Sequence, residues 1–355
     1  MSRKSHLVGA WPGFSGASAM NTAFERLGPH LLEMTDGETG ERSQWIGPAV
    51  DWLHGNPDVE LVQAGDYSAI NRANHWAVRA GHTFDPANIE LGYHRFFQRS
   101  YRAFRVLRER YGQPQISFQV GTPAPMDLAR AAAYGGVGAE GQIDAAFGSA
   151  FREATLREVR AIHAEAGDDV IFQIESVVAM ATVATTPQNR QALVAKQMAR
   201  ALVEVPAGAP AATRWGIHLC LGDYQHRAIA EMGSARPLVT LANCVAALWP
   251  AGRSLEYIHT PFAAADKPGS LDPAWYEPLS ELDLPDGIRF VAGFVHEDLD
   301  IDQLREVQGM IERNVGHEVD VAATCGLGRR EDPAQAWDAM DKSVALIGTP
   351  ALQPS

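Results

Sequence analysis

The strongest constraint on this chain is a cadence: eight short, β-prone apolar segments, each closed by turn residues and most followed by a stretch with helical spacing. The segments end near Ala10, Thr35, Gly121, Glu175, Leu221, His259, Val295 and Gly326. Several are continuous apolar runs, such as Val170-Ile171-Phe172-Gln173-Ile174, which suits strands buried on both faces. Eight alternating β and α units predict a single TIM (β/α)8 barrel, one domain over residues 1–355, with a doubly wound open sheet as the alternative. Helical spacing covers Ala17 to Leu27, Tyr93 to Tyr111, Ile143 to Ala166, Gln188 to Val205, Ile301 to Asn314 and Pro333 to Ile347. From Trp45 to Asn88 the chain is rich in Trp, His, Asn and Pro without clean periodicity, and reads as an irregular N-terminal excursion that forms a lid or the wall of a cleft. A glycine-rich loop is expected from Tyr134 to Gly141.

Charge and cysteine usage narrow the partners. The chain has 30 Lys and Arg against 43 Asp and Glu, a net charge of −13, and no long basic run, so nucleic acid is not an expected partner. No apolar run approaches the roughly 20 residues of a membrane helix. Three cysteines (Cys220, Cys244 and Cys325) are too few for a disulfide framework, which favours a reduced, cytoplasmic protein. Cys244 lies in an Ala- and Leu-rich helical stretch and reads as structural.

The chemistry concentrates where a barrel would put it. In Trp215-Gly216-Ile217-His218-Leu219-Cys220, the imidazole and thiol are two residues apart, so an extended strand points both to one face. A second strand, Val319 to Thr324, runs into Cys325-Gly326-Leu327-Gly328, and a third, Ser254 to His259, carries Glu256. His, two Cys and Glu together suit zinc, Zn2+, with Zn–S near ~2.3 Å and Zn–N near ~2.0–2.1 Å. Glu38, in Asp36-Gly37-Glu38-Thr39-Gly40, and Glu175, at the end of an apolar strand, are candidate substrate carboxylates; Trp11 and Asp36 at neighbouring strand ends join them as candidate binding residues. A buried carboxylate needs a partner, and for Glu175 a substrate ammonium or an internal Arg would serve. His296 and Asp298 follow another strand end and are candidate catalytic residues, as a general acid or as support for the metal ligands. Glu38, Glu175, His218, Cys220, Glu256 and Cys325 are all expected at or just after C-terminal strand ends, the rim on which barrel enzymes carry their active sites.

These motifs resemble the catalytic barrel of cobalamin-independent methionine synthase, within the wider group that includes uroporphyrinogen decarboxylase. The resemblance rests on His218-Leu219-Cys220, Cys325-Gly326-Leu327-Gly328-Arg329-Arg330, the Glu256 strand, Asp36-Gly37-Glu38 with Arg42, Gly121-Thr122-Pro123 and Gln173-Ile174-Glu175, and runs from Gly9 to about Arg330. It implies a zinc held by His218, Cys220, Glu256 and Cys325, with His259 the alternative to Glu256, and a zinc-dependent methyl or alkyl transfer to a small-molecule thiol. It also implies that Glu38 and Glu175 bind the acceptor's amino group. The family's Asp-Glu-Pro is here Glu175-Ser176-Val177, and no Trp accompanies Gly121-Thr122-Pro123, so neither a folate donor nor homocysteine as acceptor is specified. The competing readings are a zinc-dependent or metal-free lyase or decarboxylase on the same barrel, and a non-catalytic zinc-binding barrel.

Overall fold

A computed structural model describes residues 3–66, 74–134 and 145–348. Eight parallel strands form one sheet: β1 (Ser5–His6), β2 (Glu33–Met34), β3 (Ser117–Pro123), β4 (Val170–Ser176), β5 (Arg214–Leu219), β6 (Ser254–Pro261), β7 (Arg289–Val295) and β8 (Asp320–Ala323). Their order is β1-β8-β7-β6-β5-β4-β3-β2, and a parallel bridge from Ser5 to Leu31 joins the two ends. The sheet closes on itself as the expected barrel. All eight expected strands are present in the expected order.

The continuous apolar runs have the predicted cause. On β4, Phe172 and Ile174 face the helical layer, where the Phe172 ring lies 5.2 Å from that of Trp215. Ile171 faces inward and joins Tyr257, Val291 and Ala322 in a small central cluster. The large core therefore lies between sheet and helices. The barrel interior is partly polar: Gln173 Oε1 accepts from Tyr257 Oη and from His6 Nε2, each at 3.0 Å, and Gln119 Nε2 donates to Val8 O at 2.9 Å. The Tyr257 ring fills the space over Gly216, where an added Cβ would come within 2.0 Å of it.

The helices are stopped and started by local chemistry. Ile301–Val315 begins in a capping box of Asp300 and Gln303 and ends at Gly316, whose φ of 85° suits glycine. Gly16–Arg26 begins in a capping box of Ser15 and Ser18, and Pro333–Ile347 on an Asp332 cap. The connection after β6 departs from the α pattern, carrying two 3₁₀ segments, Pro273–Trp275 and Glu277–Glu281. In the N-terminal excursion a single-turn helix, Gly47–Asp51, precedes an antiparallel pair of strands, Val59–Gln63 and His75–Val78. The expected glycine-rich loop after Tyr134 lies almost wholly outside the described residues. Among the described residues no helix is long and apolar enough to cross a membrane.

Candidate active site

At the C-terminal rim a cavity of about 500 Å³ opens between the barrel mouth and the excursion; Val8, Glu38, Trp45, Glu175, His218, Cys220 and Cys325 are among its lining. His218 is the penultimate residue of β5 and Cys220 follows the strand on the same face. The chain then turns at Gly222, with φ 93°, and the Gly222 N–H donates to Cys220 Sγ at 3.3 Å. Beyond β8, Thr324 anchors its hydroxyl on Ala263 O at 2.7 Å, and Gly326 lies so close to Ala10 that a Cβ would meet its backbone nitrogen at 3.0 Å. Those two contacts hold Cys325 over the barrel mouth.

The donor atoms of His218, Cys220 and Cys325 lie within 4.8 Å of one another. The two sulfurs are 3.5 Å apart, and Cys325 Sγ is 3.8 Å from His218 Nε2. A tetrahedral zinc at ordinary bond lengths needs about 3.8 Å between sulfurs and about 3.5–3.6 Å between sulfur and nitrogen. Donor types and spacing therefore both fit that ion. The shared hydrogen bond between the thiols makes the first proton easier to lose, at Cys220, and the second harder, at Cys325.

Glu256 is not brought to this cluster. The β5–β6 register pairs Trp215 with Leu255 and Gly216 with Tyr257, so Glu256 is the extra residue of a bulge. It sits two to three residues below the level where His218 pairs with His259, roughly 7–10 Å down the strand. There it binds Arg214 through two hydrogen bonds, at 2.5 and 2.8 Å. His259 also does not reach the thiols. Its Nδ1 lies 2.8 Å from His218 Nδ1, and its Nε2 is 3.0 Å from Ala323 O. Burial, and next the neighbouring His218, hold the His259 ring well below the usual imidazole range.

In the same cavity, Glu175 is paired in register with His218 on the neighbouring strand, and Glu38 and Glu175 converge over Gly121. A Cβ there would lie 2.3 Å from Glu175 Oε1 and 3.2 Å from Glu38 Oε1, and one at Gly9 would lie 2.9 Å from Glu38 Oε2. A side chain at either position would push the carboxylates from where they stand. Burial drives Glu38 up to about 8, against the pull of Arg42 at 3.0 Å and with a further push from Glu175. Burial likewise raises Glu175, offset chiefly by His218 and by hydrogen bonds from Gln173 Nε2 at 2.9 Å and Trp45 Nε1 at 2.7 Å. Glu38 and Trp45 both have left-handed backbone, with φ of 46° and 53°. Strain of this sort in non-glycine residues is characteristic of functional loops.

The other expected site residues lie behind the wall or away from it. Asp36 accepts from Arg42 Nη1 at 2.9 Å, Ser100 Oγ at 2.6 Å and the Glu38 N–H at 3.0 Å, and so shapes the loop. Trp11 is buried beneath Gly37 and donates its indole N–H to Ala19 O at 3.0 Å. His296 does not enter the cavity: Nε2 is engaged with Ala265 O at 3.2 Å, and Nδ1 accepts from the Asp298 N–H at 3.2 Å. Asp298 is on the outer surface, its side chain 63% exposed. Neither can act as a catalytic acid in this arrangement. Sequence reading did not single out Trp45, whose contact with Glu175 crosses 130 residues without local periodicity to mark it. Gln173, which links His6 and Tyr257 to Glu175, could have been found as the inward neighbour two residues before that carboxylate.

No protein-family model matches the chain, and no curated protein matches it by sequence. Solved structures do share its fold. One is a B12-independent methionine synthase from Shewanella sp. W3-18-1 in complex with selenomethionine, with TM-score 0.58, 11% identity, and coverage of 98% of this chain and 97% of that one. Another is a candidate vitamin-B12-independent methionine synthase from Listeria monocytogenes, with TM-score 0.53, 14% identity, and coverage of 94% and 86%. At these identities the likeness is one of fold, and it covers nearly the whole chain.

Proposed function

We propose that this chain is a zinc-dependent transferase that moves an alkyl group, methyl in the simplest case, onto a small-molecule thiol. The observation that carries the reading is the placement of His218, Cys220 and Cys325 at zinc-compatible spacing in one cavity with two buried, converging carboxylates. His218 Nε2 and the two sulfurs would hold the ion, a three-ligand set of the kind that leaves a position for substrate. Zinc bound there would keep an acceptor thiol in its nucleophilic thiolate form near neutral pH.

The chain's own residues supply the rest. Glu38 and Glu175 would receive the acceptor's ammonium group, which relieves their mutual repulsion and replaces the solvation that burial removed. Selenomethionine, the ligand of the Shewanella structure, pairs an ammonium with a methylated chalcogen, and both groups suit a cavity lined by carboxylates and thiols together. Val8, Ala10, Ile46 and Val177 give the cavity apolar surface that excludes water from the sulfur nucleophile. In the transfer, an acceptor sulfur lone pair forms the new S–C bond, and the donor leaves with the electrons of the bond that breaks.

The test is zinc content by plasma mass spectrometry together with alkyl transfer to a panel of aminothiols. The expected result is about one zinc per chain, lost in Cys325→Ala and His218→Ala along with transfer. A wild-type protein that takes up no zinc after supplementation would overturn the reading.

A further inference from the structure

The contact between His218 and His259 places two ring nitrogens 2.8 Å apart, so one must donate and the other accept. Which does which follows from the far side of His259. Its Nε2 is 3.0 Å from Ala323 O, a carbonyl that can only accept, so His259 Nε2 carries a proton. A second proton on the same ring would create a buried cation, with His6 and His218 rather than a carboxylate as its ring neighbours. Among the described residues no carboxylate hydrogen-bonds to His259. A neutral ring leaves Nδ1 bare. His218 is then the donor through its own Nδ1–H, and its Nε2 is the nitrogen turned toward Cys325 Sγ, 3.8 Å away.

We propose that His259 is a positioning residue for the metal centre: accepting from His218 Nδ1–H while donating to Ala323 O, it fixes His218 in the tautomer whose Nε2 can bind the ion. This rests on the zinc reading above. Metal-bound imidazoles ordinarily donate their other N–H to a carboxylate, a carbonyl or water, which orients the ring and sets its tautomer. Here a second imidazole takes that place and passes the constraint to the backbone of β8, two residues before Cys325. One relay thereby couples the orientation of His218 to the strand that delivers the second thiol.

Gly293 of β7 makes room for it. A Cβ at that position would come within 2.7 Å of His259 Nε2 and 2.9 Å of Cε1, displacing the ring from Ala323 O. The inward-facing glycine is thus a requirement of the relay.

Two measurements test this without any alkyl donor. Long-range ¹H–¹⁵N correlation on metal-free protein with ¹⁵N-labelled histidine should show His218 protonated at Nδ1 and His259 at Nε2. Zinc affinity, by competition with a chromophoric chelator, should fall about 10–100-fold in His259→Leu and move the same way in Gly293→Ala. His259→Asn, which keeps an acceptor near the Nδ1 position, should restore most of that loss. If His259→Leu does not fold, the wild-type spectrum and His259→Asn still decide the matter. A wild-type His218 without a proton at Nδ1, or wild-type zinc affinity in His259→Leu or Gly293→Ala, would overturn the relay. Absence of thiol alkylation with these results intact would sink the functional reading alone.

Discussion

The floor and the rim of this barrel use the same residue types to opposite effect. On the floor, Arg289 sits between Glu33 and Asp320, Arg214 grips Glu256, and Arg3 forms a bidentate pair with Glu312. At the rim, Glu38 and Glu175 face each other in a cavity where Arg42 already serves both Asp36 and Glu38. Two buried glutamates show the contrast most sharply. Burial pushes Glu33 upward, but Arg289 and His6 outweigh it and hold its carboxyl below the ordinary range. Burial carries Glu38 up to about 8 because Arg42 does not compensate fully and Glu175 adds repulsion. Glu33 is compensated as a charge by Arg289 and His6 and supports the fold, whereas Glu38 and Glu175 stay under-compensated at the rim, as a pair meant for a cationic ligand would be.

The largest effect should come from breaking the rim's thiol pair. Cys220→Ser and Cys325→Ser are each expected to abolish stoichiometric zinc binding and lower transfer by about 10³-fold or more, since zinc affinity depends on the full soft donor set. Thermal melting of the zinc-free proteins should barely change. The reverse holds on the floor. Arg289→Met removes the main cation beside the buried Glu33 and Asp320 and should cost about 3–5 kcal/mol in denaturant unfolding, with zinc content unaffected. A floor variant that lost zinc while still folded would erase the distinction between the two regions.

The two glutamates give a pH test with opposite signs. The carboxyl of Glu38, raised above its unfolded value, opposes folding as it ionises; the penalty is absent below about pH 4.5, grows through neutrality and is complete above about 8. Glu38→Gln should therefore raise the melting temperature of ligand-free protein at pH 8–9 and leave it unchanged near pH 4. Glu33, lowered, contributes stability above pH 4.5 that is lost as pH falls through its folded value. Glu33→Gln should thus lower the melting temperature at neutral pH. The smallest effect belongs to Glu256→Gln. Its pair with Arg214 is about a quarter exposed on both sides, so about 1 kcal/mol of stability is expected to go, with zinc stoichiometry unaltered.

The barrel was legible because eight β-prone segments alternate with helical spacing, several of them continuous apolar runs, and the His218–Cys220 pair because period two on an extended strand puts both on one face. Cys325 was legible from the glycines that follow it. Glu256 was misplaced because a bulge shifts the β5–β6 register by one residue, and nothing in Ser254-Leu255-Glu256-Tyr257 announces the bulge. His259, two positions beyond Tyr257, correctly falls on the inner face, but its role depends on which nitrogen meets which partner, a matter of three-dimensional contact. His296 sat at the right end of its strand, yet both ring nitrogens are taken by backbone. Trp45 reaches Glu175 through an irregular loop with left-handed backbone, and no periodic pattern leads there.

The most direct test of the central claim is the zinc K-edge absorption spectrum of the zinc-loaded protein, recorded before and after adding an aminothiol. The expected spectrum has two sulfurs near ~2.3 Å and a nitrogen near ~2.0–2.1 Å, with a third sulfur appearing when the thiol is added. A spectrum of oxygen donors only, or a sulfur count that the thiol leaves unchanged, would contradict a rim built to bind and activate a thiol.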